Sequence, residues 1–319
     1  MASHLHPKPQ LRLDRALFKA RPRESLLIIA YALCLYLLPL ALFVWVANTA
    51  SPLWVAVCSP LVVLAGYGLF LQAILGHEGF HFNLSENPLH SCYLGIATSA
   101  LLPGFCVTGY FVDHWQHHRY SNSEKDPDYR LFSRYHTLAS RITLSRLMAT
   151  LSYMQATWRL AFGPLSTPSP LPLSAVQVQR LARCNIACQA GWLGVYGLAM
   201  WRVDGLLLGF SLSLAMAFLI SAVNAYQEHA FDAGHQLPPA RSRTSRLNTW
   251  LHAGSNFHLE HHFYPAVPCW RLPKVHRQLL DAGWYADRQY LLEKHFVRSF
   301  RYASSRHPYR GNTVSDTHP

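Results

Sequence analysis

Charge is what this chain has least of. Of its 319 residues only 14% are Asp, Glu, Lys or Arg, against about 25% in soluble domains, while 50% are hydrophobic. That balance argues against a water-soluble fold. Mean hydropathy is only +0.06, so very apolar blocks must alternate with strongly polar ones, as in membrane helices carrying a large water-side portion. Acidic residues are the scarcer sign, leaving a formal net charge of +12. No nucleic-acid recognition motif accompanies the excess, and the basic residues fit the flanks of membrane spans facing anionic lipid heads. The seven cysteines form no Cys-x-x-Cys pair, which argues against a sulfur metal site and a disulfide frame. Most sit in apolar runs and read as small buried hydrophobes. Flavin and nicotinamide fingerprints are missing too. Residues 1–23 are polar and basic, without the apolar run and small-residue cleavage site of a signal peptide.

Histidine is what the chain has in plenty, with 19 copies. His77 and His81 stand at i, i+4. His114, His117 and His118 stand at i, i+3 and i+4, and His258, His261 and His262 repeat that spacing. On a helix such spacings put the imidazoles on one shared face. Three clusters call for one explanation, and neutral imidazole suits iron, zinc or copper. His4, His6, His90, His136, His235, His252, His276, His295, His307 and His318 lack the spacing and read as ordinary polar positions.

Residues 26–47 and 53–75 are free of charge, each long enough to cross about 30 Å of hydrocarbon. Residues 187–200 and 206–223 form a second, shorter apolar hairpin around the polar stretch 202–205. The positive-inside rule puts residues 1–23 in the cytoplasm, and paired crossings then return every histidine cluster to that side. Residues 92–111 are apolar but interrupted by Pro103 and Gly104. A full crossing there would separate His77 and His81 from His114, so a re-entrant or interfacial helix pair is expected. Residues 119–183 read as a basic cytoplasmic segment closing in a proline-rich loop at 163–172. The charged stretch from Trp270 onward reads as short helices beneath the site, and 304–319 as a disordered tail. The expectation is a single all-α membrane domain: four transmembrane helices in two hairpins with a cytosolic helical cap.

The order His-x-x-x-His, His-x-x-His-His, His-x-x-His-His, spaced by two apolar hairpins, resembles the membrane fatty acid desaturase family over roughly residues 25–290. His-Leu-Glu-His-His-Phe-Tyr-Pro, preceded by Asn256, is similar to the family's third histidine box. The resemblance implies a cap holding two non-haem irons, dioxygen as co-substrate, and attack on an unactivated C–H bond of a fatty acid or acyl-lipid. It adds His229, between the last span and the third box, as a ninth ligand to His77, His81, His114, His117, His118, His258, His261 and His262. Asn224 reads either as a contact to a metal-bound water or as an end-of-span residue. The compact length resembles bacterial members, implying the inner membrane with both termini and the site cytoplasmic.

Glu78, Asp113, Glu228 and Glu260 lie beside the box histidines and are expected to accept their outer ring N–H groups, or to serve as surface ion pairs. Asp126-Pro127-Asp128 reads as a turn. Trp115, Phe80 and Phe257 read as core packing. With no fused haem-carrier motif either, electrons must come from a separate ferredoxin-like or small haem-protein donor steered to the basic face. Desaturation leads. Alkene-forming decarboxylation and lipid or carotenoid hydroxylation use the same scaffold, and a metal-binding transporter or receptor is the reading from another class.

Overall fold

The computed structural model describes residues 9, 11–165, 169, 171–230 and 239–304. Among these the helices are α1 (Pro22–Thr49), α2 (Pro52–Val57), α3 (Pro60–Phe80), α4 (Pro88–Ser99), α5 (Val107–Tyr120), α6 (Pro127–Phe132), α7 (Leu138–Ile142), α8 (Leu144–Phe162), α9 (Ala175–Arg202), α10 (Leu206–His229), α11 (Arg246–Leu251), α12 (His258–Phe263), α13 (Leu272–Asp281) and α14 (Arg301–Ser304). Two two-residue strands, β1 (Ser242–Arg243) and β2 (Leu292–Glu293), pair in parallel, Ser242 opposite Leu292. They are a small departure from the all-α expectation. The chain divides into an apolar unit, Phe18–Val112 with Arg146–Ser221, and a histidine-rich unit, Met1–Leu17 with Asp113–Ser145 and Ala222–Pro319.

Among the described residues, three helices are long and apolar enough to cross a membrane: α1, α3 and α10. The charge-free runs at 26–47 and 206–223 fall inside α1 and α10. The run at 53–75 does not form one helix. Pro60 lacks the N–H that would continue α2 and instead opens α3, so the candidate span is Pro60–Phe80 and carries His77 on its last turn. Between α1 and α3 the packing is backbone to backbone. Ala32, Leu35, Tyr36, Leu40 and Phe43 bury one face of α1, and a side chain at Gly68 would meet Tyr36 N at 2.3 Å. Small residues permit this closeness where lipid supplies no hydrophobic drive.

Residues 92–111 form the expected helix pair, α4 and α5, broken around Pro103 and Gly104, whose φ is +82°. An interrupted helix strands backbone polar groups, and inside an apolar unit only protein can satisfy them. Helix α9 supplies the partners from one stripe at i, i+4 and i+11. Asn185 Oδ1 accepts from Thr108 N (3.1 Å) and Gln189 Oε1 from Gly104 N (3.1 Å). Gln189 Nε2 donates to the carbonyls of Leu102 (3.3 Å) and Phe105 (3.0 Å), and Tyr196 Oη to that of Leu101 (2.8 Å). This stripe makes the expected third span less apolar than α1, α3 and α10. Residues 187–200 belong to a 28-residue helix whose polar face keeps it outside the three apolar ones.

The histidine-rich unit is built from short helices, as expected for the charged stretch after Trp270. Leu272, Val275, His276 and Leu279 bury one face of α13, and Arg271 Nη1 donates to the carbonyls of Ala16 and Leu17. The expected tail lies outside the described residues from 305 on, and the loop at 163–172 is described only in part. None of the seven cysteines is joined in a disulfide. Only Cys92, Cys106 and Cys269 are buried, so the buried-hydrophobe reading holds for three of them and fails for Cys34, which is exposed.

Gln189→Leu should leave the Gly104 N–H and the Phe105 carbonyl without this partner, and the Leu102 carbonyl with the Phe105 amide alone. At about 1–3 kcal/mol per orphaned group, the variant is expected to unfold in detergent at a clearly lower temperature than the wild type. An unchanged midpoint would mean that the break is held by other contacts.

Candidate metal centre

The pattern His-x-x-His-His recurs on α5 and α12, and its six histidines lie in the histidine-rich unit. Around a helix, i and i+4 are about 40° apart, whereas i+3 is displaced about 60° the other way. One box therefore points in two directions. His114 and His118 meet Nε2 to Nε2 at 2.9 Å, and His261 Nε2 lies 3.1 Å from that of His118. His117 turns instead toward His262, 3.3 Å away, which is 3.2 Å from His258, itself 2.9 Å from His229. The single shared face expected for each box is corrected: each triplet divides between two sets. In the second set, one ring nitrogen from each of His117, His229, His258 and His262 lies within 4.8 Å of the others. In the apolar unit, His77 and His81 end α3 with ring centres 4.5 Å apart, and Phe111 lies 5.0 Å from His81.

Such distances fit a metal. Nitrogens bound about 2.1 Å from one centre at right angles stand about 3 Å apart. The outer nitrogens are fixed so that the inner lone pairs converge. His229 Nδ1 donates to the carbonyl of Pro239 (2.9 Å), and His117 Nδ1 faces both oxygens of Asp126 at 3.0 Å. The Ser121 hydroxyl donates to the carbonyl of His117 (2.7 Å), leaving its oxygen to accept from His262 Nδ1 (3.0 Å). His258 Nδ1 lies 3.6 Å from Glu228 Oε2. Full burial, reinforced by neighbouring imidazoles, holds His262 neutral, well below the usual histidine range. His117 goes the other way. Burial pushes it down, but Asp126 and Asp128 more than offset this and raise it to about 9. Without a metal, His117 is thus the member of the set that favours a proton, whereas burial pushes His229 down to about 3.

The carboxylates sort differently from the sequence expectation. Glu78 behaves as expected, 3.1 Å from His77 Nδ1 and held by Asn83. Glu228 lies near His258 and is anchored by Arg243 (2.9 Å) and Asn224 (2.8 Å). Asn224 thus serves a buried network. Glu260 accepts from Ser242, His276 and Tyr285, locking α12 in place. Asp113 is pushed up by burial, partly offset by Arg130. Asp126 shapes its turn, accepting from the amides of Asn122 and Asp128, and also orients His117, a role that the turn reading missed. Arg243 carried no sequence signal. Almost wholly buried, it donates to Gln227, Asn224 and Glu228. Of the unspaced histidines, His252 bonds the carbonyl of Asn248 and His276 bonds Glu260, while His90 is exposed. Phe80 and Phe257 are buried, as core packing requires.

Asp126→Asn should weaken metal binding about 10- to 100-fold. Because a metal at His117 displaces its proton, wild-type affinity should climb with pH and level off above about 9. The asparagine variant should lose most of that slope, as followed by metal titration at a series of pH values. Arg243→Met should strand the Glu228 charge, at a cost of about 3–5 kcal/mol, seen as a lowered denaturation midpoint. Its metal retention should fall with it, because Glu228 no longer stands fixed beside His258.

No curated protein matches this chain. A family model described as Fatty acid desaturase matches residues 52–293, from the start of α2 to the end of β2. The match encloses both sets of histidines together with His77 and His81, and it covers most of the chain: the protein belongs to the fatty acid desaturase family, a family of membrane oxidoreductases of fatty acid metabolism.

Proposed function

We propose that the nine histidines hold two non-haem irons and that the enzyme uses dioxygen to desaturate a fatty acyl chain. In the histidine-rich unit, His114, His118 and His261 take one iron and His117, His229, His258 and His262 the other; His77 and His81 are counted among the nine, as the family resemblance implies. The observation that carries this reading is the division of the seven histidines of the histidine-rich unit into two sets with Nε2 atoms about 3 Å apart. Donors that are all neutral nitrogen favour a transition metal over calcium or magnesium, which prefer oxygen. When bound, the irons supply the dioxygen chemistry needed to break an unactivated alkyl C–H bond.

The chain's own part is orientation and charge. Pro239, Asp126, Ser121 and Glu78 hold the outer ring nitrogens, and Asp126 supplies negative charge beside His117. Ionisable side chains of the three apolar helices stand at their ends, at Arg23 and Glu24, His77 and Glu78, and Glu228 and His229. A transporter would need such groups along its spans, so this placement favours an enzyme. In this reading α9 is the fourth crossing, its polar stripe tolerated because it is spent on the broken backbone before α5. Both termini and the irons face the cytoplasm, in the inner membrane of a bacterium, and a separate ferredoxin-like or small haem-protein donor delivers electrons to the basic side.

Cells expressing the wild type with oxygen should accumulate a fatty acid lacking two hydrogens at constant carbon number, detected by mass spectrometry. His261→Ala and His117→Ala should lose the product and most of the bound iron; His90→Ala should lose neither. A terminal alkene one carbon shorter, or an added oxygen, would replace desaturation by decarboxylation or hydroxylation. Zinc without iron, and no oxygen-dependent product, would refute the oxidase reading altogether.

A further inference from the structure

Helix α8 lies in the stretch that composition assigns to a polar, cytoplasmic segment, yet its outer face is apolar. Between residues 147 and 162 it exposes eight side chains, of which Leu147, Met148, Leu151, Met154, Trp158 and Phe162 are large and apolar. Gln155 and Arg159 are the other two. The six are 45–59% exposed, in the range of Leu37 (50%) and Leu38 (66%) on α1 and of Leu207 (62%) on α10. At spacings of three and four they make one continuous stripe. The opposite face, with Ala149, Tyr153, Thr157 and Ala161, is buried. So large a patch is rare on a surface facing water.

The charges and contacts identify what covers it. No acidic residue lies on α8. Arg146 turns inward, its guanidinium 5.7 Å from the ring centre of Phe105 and 5.8 Å from that of Phe218. The one exposed charge, Arg159, follows Trp158, the pairing of residue types expected at headgroup level. The helix also keeps to one end of the apolar unit. Its C-terminal end and the residue beyond meet the early turns of α9, with Arg183 Nε donating to Ala161 O (2.8 Å) and Gln179 Nε2 to Gly163 O (3.3 Å). The other end of α9 lies beside the end of α1, marked by the bond from Asn48 Nδ2 to Asp204 O (2.8 Å).

We propose that α8 lies in the plane of the bilayer, within one leaflet, with its outer stripe covered by phospholipid acyl chains. It then serves as a lipid-held base for α5, since Thr157 Oγ1 accepts from Gly109 N (2.8 Å).

The test places p-benzoylphenylalanine at Leu151, at Trp158 and, as a lipid-facing reference, at Leu208, in the full chain reconstituted in phosphatidylethanolamine and phosphatidylglycerol nanodiscs. After irradiation, mass spectrometry should find phospholipid adducts at Leu151 and Trp158 in yields comparable to Leu208. A band of doubled mass without lipid adducts would assign the stripe to a second copy of the chain. No adduct at either position, while Leu208 gives one, would place α8 in water. Either result overturns the proposal. Because the readout needs neither metal nor turnover, it fails or succeeds separately from the iron reading.

Discussion

Imidazole nitrogens that turn their lone pairs on one another about 3 Å apart repel unless a proton or a metal cation lies among them, and much of the histidine-rich unit is arranged to meet that constraint. A free imidazole could rotate its lone pair away. Here Pro239, Asp126 and Ser121 hold outer nitrogens so that the inner ones stay convergent. Those partners need anchoring in turn. Asp126 is held by two backbone amides, and Glu228 by a buried arginine that also grips Gln227 and Asn224. Burying a charged guanidinium is costly without several partners, and Arg243 has them. The same low-dielectric surroundings keep His262 neutral and leave His117 dependent on its carboxylates.

A different constraint governs the apolar unit. Where lipid replaces water, a broken helix must find hydrogen-bond partners in protein, and the turn before α5 finds them in Asn185, Gln189 and Tyr196. The break lets the chain enter α5, so that His114, His117 and His118 follow soon after a turn inside the unit. Close helix contacts at Gly68 and at Gly79 against Gly95 serve the same need, giving contact area where burial from water gives little. Membrane family and metal chemistry thus meet in one chain: an apolar scaffold that spends its few polar side chains on backbone, and a histidine-rich unit that spends its acids on imidazole orientation.

Much of this was legible in the primary structure because it is local. Charge-free runs announced α1 and α10, the histidine spacing announced a metal-binding chain, and Pro103 with Gly104 announced the paired helices α4 and α5. Pro60 could also have been read as the start of a new helix, which would have moved the second span to its observed position. Other features depend on residues far apart in sequence. Arg243 is 15 positions from Glu228 and 19 from Asn224, and no periodicity links them. Residues 187–200 read only as a short apolar run, because the partners of the polar stripe on α9, around Leu101 to Thr108, lie about 80–95 residues away.

The histidine boxes draw that boundary most sharply. Residue type and spacing decided that imidazoles would cluster, since i, i+3 and i+4 are neighbours on any helix. They did not decide the pairing. His117 joins His229, His258 and His262 while His114 and His118 join His261, because the i+3 position leans away from the i, i+4 pair and finds another helix across from it. Direction around a helix axis is a local property; which element waits in that direction is settled by how distant segments pack.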